Sequence, residues 1–409
     1  MSYSSTHSSA PGMGSGIEHQ GLMSDPRQYT TRPKLKAAEA AATGFVTVDL
    51  AQVAANWKNL KALLAPGVNC AAVVKANAYG LGAARVIPAL ARAGCETFFI
   101  ATPHEAEDAR ALAPSAVIYA LDGLIPGADA LYAHLEIRPV LSSGDDIARW
   151  SAYAKATGKI NAAGLHIDSG LNRLGLPAID LRRLAADPDR VKSLGLKLVM
   201  SHLASADNPA DLKNRDQLLA FETLSALIPN MPRSLAASDG LMLGRLFHFD
   251  LVRPGYALYG GQASLSNPAP VKPAVTVKAR ILAIADVAKG ETVGYSASWR
   301  ALKPSRIATV AAGYADGVPR SASATNDRSG GYVSIAAKHA PIVGRVSMDL
   351  ITVDVTDLEA GTVRPGDFAT LIGPDLPIED AGHTAGTIGY EILTRLGTRF
   401  ERLYIGDAG

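Results

Sequence analysis

A single lysine follows a short apolar run in a pattern that suits covalent chemistry. In the stretch AAVVKANAYGLG (71–82), four small or β-branched apolar residues predict a buried parallel strand that ends at Lys75. Gly80 and Gly82 predict a turn that leads into an alanine-rich helix. A lysine amine at the rim of a buried sheet can form an imine with an aldehyde cofactor. Taken alone, such a lysine more often packs its stem and extends its amine into water.

Short apolar runs recur at regular spacing after this lysine, and most are separated by amphipathic, alanine-rich stretches such as 144–157 and 210–228. The runs predict strands and the stretches predict helices. The eight predicted barrel strands are 70–75, 97–101, 116–120, 137–141, 164–168, 197–202, 234–238 and 249–253. This alternation predicts an α/β protein with a (β/α)8 TIM-type barrel. A further run at 46–50 predicts a leading strand outside the barrel, and the interval between residues 237 and 249 is short for a full helix.

Polar side chains fall at the carboxyl ends of these strands, where barrel enzymes carry their chemistry. They are Lys75 at the first strand, His166 and Asp168 at the fifth, Arg173 just beyond it, His202 at the sixth, Ser238 at the seventh and Arg253 at the eighth. Phosphate sites in such barrels commonly follow strands seven and eight, where Gly255 allows a close backbone approach. Any one of these residues could be structural, but their shared position at one rim predicts an active site.

Composition and charge exclude several classes of protein. The 409 residues are 48% hydrophobic, which is enough for a sizeable core and two domains, and the net charge of +2 gives no basic footprint for nucleic acid. No apolar run approaches the ~18 residues of a membrane span. The two cysteines, Cys70 and Cys95, match neither a metal motif nor a disulfide framework. We therefore expect buried thiols, no metal site, no nucleic-acid or membrane partner, and a location in the reducing cytoplasm.

Three segments of different composition divide the chain. Residues 1–42 are rich in serine and glycine without an apolar centre, and they are predicted to be a disordered N-terminal extension. Residues 43–265 hold the barrel. Residues 266–409 begin with a Pro/Ser-rich connector and are predicted to form a β-rich C-terminal domain, with which the leading strand at 45–50 could pair. Its strands are predicted at 275–284, 306–311, 332–335, 340–346, 350–355 and 368–372, with a helix near 388–394.

Three stretches of the C-terminal domain carry residue types suited to chemistry. They are VGYSASW (293–299) with Tyr295, AAGYADGVPR (311–320) with Tyr314 and Asp316, and VGRVSMDL (343–350) with Met348 and Asp349. Each could be a turn whose side chain only covers apolar surface. A tyrosine near a cationic cofactor site can also serve as a proton carrier.

In their order along the chain, these stretches resemble the alanine racemase family, pyridoxal 5′-phosphate (PLP) enzymes built from a barrel and a β domain. The likeness extends from about residue 45 to residue 405. AVVKANAYGLG is similar to the cofactor-lysine signature of the family. The other matching stretches are DSGLNRLG, SHLASAD, VRPGYALYG, VGYSASW, GYADGVPR, GRVSMD and TIGYEILTRLG. Eight matches in the order of the family argue against a chance similarity.

The resemblance implies how the cofactor is held. Lys75 would bind it covalently as an imine, Arg253 would contact its ring nitrogen, and His202 would lie beside the ring. Arg173 would meet its phenolic oxygen and the carboxylate of the substrate. The residues implied to hold the phosphate are Tyr79, Ser238, Gly255, Tyr256 and Tyr390.

The resemblance also implies a two-base racemisation in a homodimer with shared active sites. Lys75 would exchange the α-proton of D-alanine, and Tyr295 of the partner subunit would exchange that of L-alanine from the opposite face. Tyr314 and the backbone of Met348, also from the partner subunit, would complete the site for this small-molecule substrate. The implied role is supply of D-alanine for cell-wall peptidoglycan or breakdown of alanine, and the sequence leaves both open.

Four positions depart from the pattern of the family. His166 replaces a lysine, often carbamylated, that braces the arginine equivalent to Arg173. We therefore expect no carbamate here, and we expect Arg173 to be held by an anion or by Asp168. The other departures are Leu81 for a frequent histidine, Ala237 for asparagine and Ser347 for a frequent cysteine. None of the four is a proton-transfer position, so we expect activity to survive them.

Other PLP proteins share parts of this pattern. Decarboxylases of the same architecture place an acid at the ring nitrogen, and Arg253 argues against that class. PLP carrier proteins with a similar barrel lack a β domain. This chain has one, which carries Tyr295 and Tyr314, and this argues against the carrier class. The nearest alternative is a racemase of broader amino-acid range, whereas Tyr314 and Tyr390 would narrow the entrance toward alanine.

Overall fold

The structure, a computed structural model, describes residues 41–406. The predicted extension at 1–42 therefore lies outside the described residues, apart from its last two. Within the described range, no helix is both long enough and apolar enough to cross a membrane.

Short parallel strands form the centre of the first half of the described chain. They are apolar and buried at most positions, as expected for strands that are covered on both faces. Seven of them pair in chain order into one sheet. Their bounds are Ala72–Val73, Thr97–Ile100, Val117–Ala120, Ile137–Leu141, Ala163–His166, Leu196–Met200 and Arg233–Ser234.

An eighth strand closes this sheet into a barrel. Leu251–Val252 pairs in parallel with Asn69–Cys70, the segment that runs into the first strand. On its other side, a parallel bridge joins Arg253 to Ala237, just beyond the seventh strand. The prediction of a (β/α)8 barrel is therefore confirmed. The short interval before the eighth strand holds only the helix Ser238–Met242 and one 3₁₀ turn.

Helices connect the strands and cover the outside of the barrel. Gly144–Thr157 shows why they form where they do. The Ser143 hydroxyl caps its first turn by accepting from the Asp146 N–H at 3.1 Å, and Gly158 ends it in the left-handed region at φ 67°. Its apolar face buries Ile147, Trp150 and Ala154. The other connecting helices are Ala83–Arg92, Ala106–Leu112, Asp129–His134, Ala178–Ala185, Pro188–Ser193 and Leu212–Ser225.

The leading strand Gly44–Asp49 belongs to the sheet of the second half of the chain. It pairs antiparallel with Val275–Val287 and parallel with Glu401–Ile405. Asp49 then caps the helix Leu50–Ala62 by accepting from a backbone N–H at 2.9 Å. This helix buries Trp57 against the barrel, where the indole N–H donates to the carbonyl of Cys70 at 3.3 Å.

The second half of the described chain is mainly β structure. Its strands are Val275–Val287, Thr292–Val293, Trp299–Arg300, Ser305–Val310, Tyr332–Ile335, Lys338–Pro341, Ile351–Asp354, Phe368–Ile372 and Glu401–Ile405, and its helices are Ile378–Thr384 and Gly389–Thr394. The strand predicted at 340–346 is wrong in extent. Ala336 and Ala337 both have positive φ and form a two-residue hairpin turn, so the strand begins earlier, at Lys338, and its pairing with Tyr332–Ile335 ends at Pro341.

Candidate active site

Lys75 lies where the first barrel strand ends and one turn of left-handed helix begins. In this turn, residues 76–79 have φ between 53° and 56° although none of them is glycine. Left-handed backbone costs a non-glycine residue roughly 1–2 kcal/mol. Such strain persists only where the surrounding structure holds it, and it is typical of functional sites. The glycines at 80 and 82 that predicted a turn follow this strained segment rather than form it.

Groups from two parts of the chain fix the end of the left-handed turn. The Asn77 side-chain oxygen accepts from the Ala83 N–H at 2.7 Å, which ties the turn to the helix that follows it. From the last strand, Arg402 and Tyr404 donate to the backbone carbonyls of residues 80–81 at 3.0 Å each. The C-terminal half of the chain therefore helps to hold the segment that carries the lysine.

Arg253 supplies a buried positive charge at the same rim. Its guanidinium donates to the Ser201 carbonyl at 2.7 Å and to the Ser234 hydroxyl, and its side chain lies 5.9 Å from the centre of the Phe99 ring. No carboxylate within residues 41–406 pairs with it. Burial lowers the pKa of Arg253 to about 9, so the group is still charged at neutral pH. An unneutralised buried cation favours binding of an electron-rich or anionic group.

Two histidines lie within the electrostatic reach of this charge. Burial, and then the charge of Arg253, lower the pKa of His166 to about 4. The same two causes, in the same order, lower the pKa of His202 to about 3. Both imidazoles are therefore neutral at physiological pH, and each can donate one hydrogen bond from one ring nitrogen and accept one at the other. The positive character of the rim comes from arginine rather than from histidine.

Asp168 shapes the loop after the fifth strand and does not pair with Arg173. One carboxylate oxygen of Asp168 accepts backbone N–H groups from residues 170–172, at 2.8 to 3.2 Å. Arg173 is exposed and forms no salt bridge within the described part of the chain. Of the two predicted partners of Arg173, Asp168 is one, and within the described residues it forms no ion pair with Arg173 while one of its oxygens folds the loop. An anion is the other.

Ser238 and Gly255 form a small polar cradle beyond the seventh and eighth strands. The Ser238 oxygen accepts the N–H groups of Gly255 and Ala257 at 3.0 and 3.2 Å, and within the described residues its hydroxyl proton donates to no protein acceptor. A Cβ at Gly255 would lie 2.4 Å from the hydroxyl oxygen of Tyr79. A side chain at position 255 would clash with Tyr79, so glycine is required here, and the serine and tyrosine hydroxyls both lie beside it.

A group of tyrosine rings packs beside this cradle, and its members are Tyr79, Tyr256, Tyr259 and Tyr390. Tyr256 and Tyr390 stack with ring centres 3.9 Å apart. The Tyr390 hydroxyl donates to Asp239 at 3.3 Å, whereas the Tyr256 hydroxyl donates to Glu379 at 2.9 Å. Burial raises the pKa of Tyr79 and of Tyr390, so both phenols stay protonated donors. The Tyr256 phenol is committed to Glu379.

A second group of candidate residues lies in the C-terminal half and is exposed. The Tyr314 N–H donates to the Ser347 carbonyl at 3.0 Å, which joins its turn to the segment carrying Met348. Tyr295 lies in the hairpin between Thr292–Val293 and Trp299–Arg300, and the residue is 71% exposed. Within the described residues, no hydrogen bond or ring contact joins Tyr295, Tyr314 or Met348 to Lys75.

Arg399 joins two turns of this second group, and sequence analysis missed it. Its guanidinium donates to both oxygens of Asp316 at 2.8 and 2.7 Å, and to Asp349. Asp316 follows Tyr314 in one turn, and Asp349 follows Met348 in the other. The two acids, predicted as chemical residues, are therefore the structural partners of one arginine. No local pattern could have revealed it, because Arg399 is separated from Asp316 by 83 positions.

The barrel, its strand-end lysine and the β-rich half define a class of protein, the enzymes built from a (β/α)8 barrel followed by a β-rich domain. A sequence model of the alanine racemase N-terminal domain matches residues 48–263, and one of the alanine racemase C-terminal domain matches residues 274–404. The chain therefore belongs to the alanine racemase family and is an isomerase.

Individual relatives agree with this family. An alanine racemase of Methylobacterium sp. (strain 4-46) is 46% identical over 360 residues, which cover 88% of this chain and 97% of that protein. A Mesorhizobium japonicum protein named "Alanine racemase, catabolic" is 43% identical over 370 residues, covering 90% and 95%. The crystal structure of alanine racemase from Bartonella henselae, described as having covalently bound pyridoxal phosphate, has a TM-score of 0.84 and 40% identity. It covers 89% of this chain and all (100%) of its own.

Proposed function

We propose that this chain interconverts L- and D-alanine with PLP held at the barrel rim, as a homodimer in which each chain completes the active site of the other. One observation carries the proposal. Among the described residues, no hydrogen bond or ring contact joins the rim group around Lys75 to the exposed group of Tyr295, Tyr314 and Met348. A two-base racemisation needs proton carriers on opposite faces of one substrate. Two chains provide this arrangement when the exposed group of each meets the rim of the other.

The side chains of the rim fit PLP. The phosphate and the phenolic oxygen of PLP call for donors and positive charge, and the rim offers the free Ser238 hydroxyl proton, the Gly255 cradle and the unneutralised Arg253. The Bartonella henselae relative, described with covalently bound pyridoxal phosphate, supports the same cofactor. When bound, PLP withdraws electrons from the α-carbon of the substrate and so makes the α-proton easier to remove.

Each rim residue has a proposed task toward the cofactor. Lys75 would hold its aldehyde carbon, Arg253 its ring nitrogen, and Arg173 its phenolic oxygen together with the carboxylate of alanine. His202 would lie beside the ring as a neutral group. The phosphate would be held by Tyr79, Ser238, Gly255, Tyr256 through its backbone, and Tyr390.

Two residues carry the proton transfers. The Lys75 amine would remove the α-proton of D-alanine or return one to that face, and Tyr295 of the partner subunit would do the same for L-alanine. Tyr314 and Met348 of the partner subunit would line the substrate side of the site. Because Arg253 holds its proton more firmly than a carboxylic acid does, it would leave the ring nitrogen unprotonated and the electron withdrawal moderate. This restraint would suppress transamination.

The setting of the reaction follows the same reasoning. Cys70 and Cys95 are free and buried, which favours the reducing cytoplasm. Supply of D-alanine and breakdown of alanine use the same reversible reaction, so the proposal covers both roles.

The test is isotope exchange with a Tyr295→Phe variant. Phenylalanine keeps the ring and removes the hydroxyl that would carry the proton. We expect the purified wild-type protein to take up PLP on Lys75 and to racemise alanine faster than serine or lysine. The variant should retain the bound cofactor and the exchange of the D-alanine α-hydrogen with solvent deuterium. It should lose exchange of the L-alanine α-hydrogen.

A Tyr332→Phe variant is the matched control, because Tyr332 is another tyrosine of the C-terminal half and has only a long hydroxyl contact, 3.4 Å, to Asp380. We expect wild-type exchange of both isomers in this control. Normal exchange of L-alanine by Tyr295→Phe would refute the two-base assignment, and equal rates on all three amino acids would favour a racemase of broader range.

A further inference from the structure

One carboxylate joins the ends of the first two barrel strands. The Glu105 Oε1 atom accepts the N–H of Ala76 at 2.6 Å. The other oxygen, Oε2, accepts the N–H of Ala101 at 2.7 Å and that of Thr102 at 3.4 Å. Ala76 follows Lys75 directly, and Ala101 follows the strand Thr97–Ile100 directly. Glu105 therefore bridges the residue next to the lysine and the neighbouring strand.

In the lysine turn, the Ala76 N–H takes its acceptor from a side chain, Glu105. Further along the turn, the Ala78 N–H finds the carbonyl of Val74 at 2.9 Å, and the Gly80 N–H finds that of Ala76 at 2.8 Å. Among the described residues, Glu105 alone accepts the Ala76 N–H. The bond lies at the first residue of the strained left-handed segment, which requires outside support.

Glu105 is itself held firmly. It ends the 3₁₀ turn Pro103–Glu105 and is followed at once by the helix Ala106–Leu112. Proline restricts the backbone at the start of this turn, and the bonds from Ala101 and Thr102 restrict the carboxylate. Because the Glu105 carboxylate is fixed in this way, it can hold the Ala76 N–H in one orientation.

We propose that Glu105 is a positioning residue for Lys75. By holding the Ala76 N–H against the end of the second strand, it maintains the left-handed turn and sets the direction in which the lysine side chain leaves the rim. Glu105 acts through the backbone and needs no contact with substrate or cofactor. The inference rests on the proposed role of Lys75. It adds Glu105 as a residue on which the position of the Lys75 amine depends.

The main variant is Glu105→Gln, which keeps the shape of the side chain but replaces one acceptor oxygen with an NH₂ group. One backbone N–H then loses its acceptor. Glu105→Asp is the second variant, because it keeps both oxygens and the charge but is one methylene too short to reach Ala76 from the same backbone. Asp146→Asn is the matched control. Asp146 accepts the Ser142 N–H at 2.9 Å at the end of the fourth strand, away from the lysine turn.

The first measurement is hydrogen exchange of the cofactor-free protein, followed in a peptide that covers residues 75–82. We expect exchange in this peptide to become at least ~10-fold faster in both Glu105 variants, since Glu105→Asp loses the bond to Ala76 and Glu105→Gln breaks one side of the bridge that fixes the turn. The Asp146→Asn control should keep the wild-type rate there. Wild-type exchange of this peptide in both Glu105 variants would overturn the inference.

The second measurement is covalent capture of PLP by borohydride reduction, with the Lys75 peptide identified by mass. We expect slower capture in the Glu105 variants. We also expect kcat to fall by about 100-fold in both directions with little change in KM, because a lysine displaced by ~1 Å still lets substrate bind but misaligns proton transfer. Loss of kcat equal to that of the Asp146→Asn control would overturn the inference. If wild-type protein captures no PLP on Lys75, the proposed function fails, while the exchange measurement still tests the hold of Glu105 on the turn.

Discussion

His166 is a buried imidazole whose neutrality is set by its surroundings. Its pKa falls from the ordinary 6.5 to about 4 in the folded protein, through burial first and the Arg253 charge second. Between these two pH values the unfolded chain binds the proton that the folded chain does not. Burying neutral His166 therefore costs no stability above pH 6.5. As the pH falls from 6.5 toward 4, protonation of the unfolded chain progressively lowers the free energy of unfolding.

A His166→Gln variant tests this linkage. We expect the free energy of unfolding of the wild-type protein, relative to the variant, to fall by roughly 2–3 kcal/mol between pH 7 and pH 4.5. Denaturant unfolding of the cofactor-free proteins at both pH values measures it. His104→Asn, at an exposed position, should follow the pH dependence of the wild type. Parallel curves for wild type and His166→Gln would contradict the assignment.

At the scale of elements, Arg399 couples the turn of Tyr314 to the segment of Met348. The carboxylate of its partner Asp316 is 2% exposed, so removing the arginine leaves a buried charge with fewer donors. We expect Arg399→Ala to lower the free energy of unfolding by about 2–3 kcal/mol. Racemisation should fall further than stability alone explains, with a raised KM for alanine. Denaturant unfolding and steady-state kinetics measure the two effects.

Arg395→Ala is the control for that prediction. Arg395 pairs with Glu391 on the surface, with side chains 52% and 41% exposed, and such pairs contribute less than about 1 kcal/mol. Equal losses of stability in Arg395→Ala and Arg399→Ala would contradict the prediction, because the two hydrogen bonds from Arg399 to Asp316 would then stabilise the fold no more than an exposed pair does.

The elements of this protein were predictable from its sequence to different degrees. Buried parallel strands such as Thr97–Ile100 are continuous apolar runs, and the pattern identifies them directly. The left-handed turn at 76–79 was not predictable, because alanine and tyrosine have little intrinsic preference for positive φ and tertiary bonds impose it. The strand Glu401–Ile405 was missed because its charged, half-exposed residues resemble a loop.

The candidate site was predictable where residues follow strands and unpredictable where they act through distant partners. Lys75, Ser238 and Arg253 could be placed at one rim from strand order alone. Glu105 and Arg399 could not, because each works by hydrogen bonds that only the folded chain brings together. The hydrogen bonds of Asp168 to its own loop likewise exist only in the folded chain, so the sequence could not predict them.

At the scale of the whole molecule, the proposed sharing of sites between chains predicts complementation. Lys75→Ala and Tyr295→Phe are each expected to be inactive as homodimers. In a heterodimer of the two, one site carries both changes and the other carries neither. After unfolding and refolding an equal mixture, we expect about a quarter of the wild-type racemase activity, since half the dimers are mixed and each has one intact site.

The same mixture distinguishes the alternative in which each chain holds a complete site. No intact site could then form from these two variants, and the refolded mixture would stay inactive. Lys75→Ala unfolded and refolded alone is the control, because it shows whether refolding itself produces activity in an inactive variant. It should give none.

The pairing of the leading strand has a consequence for biosynthesis. Gly44–Asp49 lies between Val275–Val287 and Glu401–Ile405. This early strand therefore lacks one of its two neighbours until the last strand, Glu401–Ile405, has been synthesised. Long-range pairings of this kind are slow to form. A translation product cut short before residue 401 would leave one side of the leading strand open to pairing with other chains. Prematurely terminated copies should therefore aggregate or be degraded rather than accumulate as half-active enzyme.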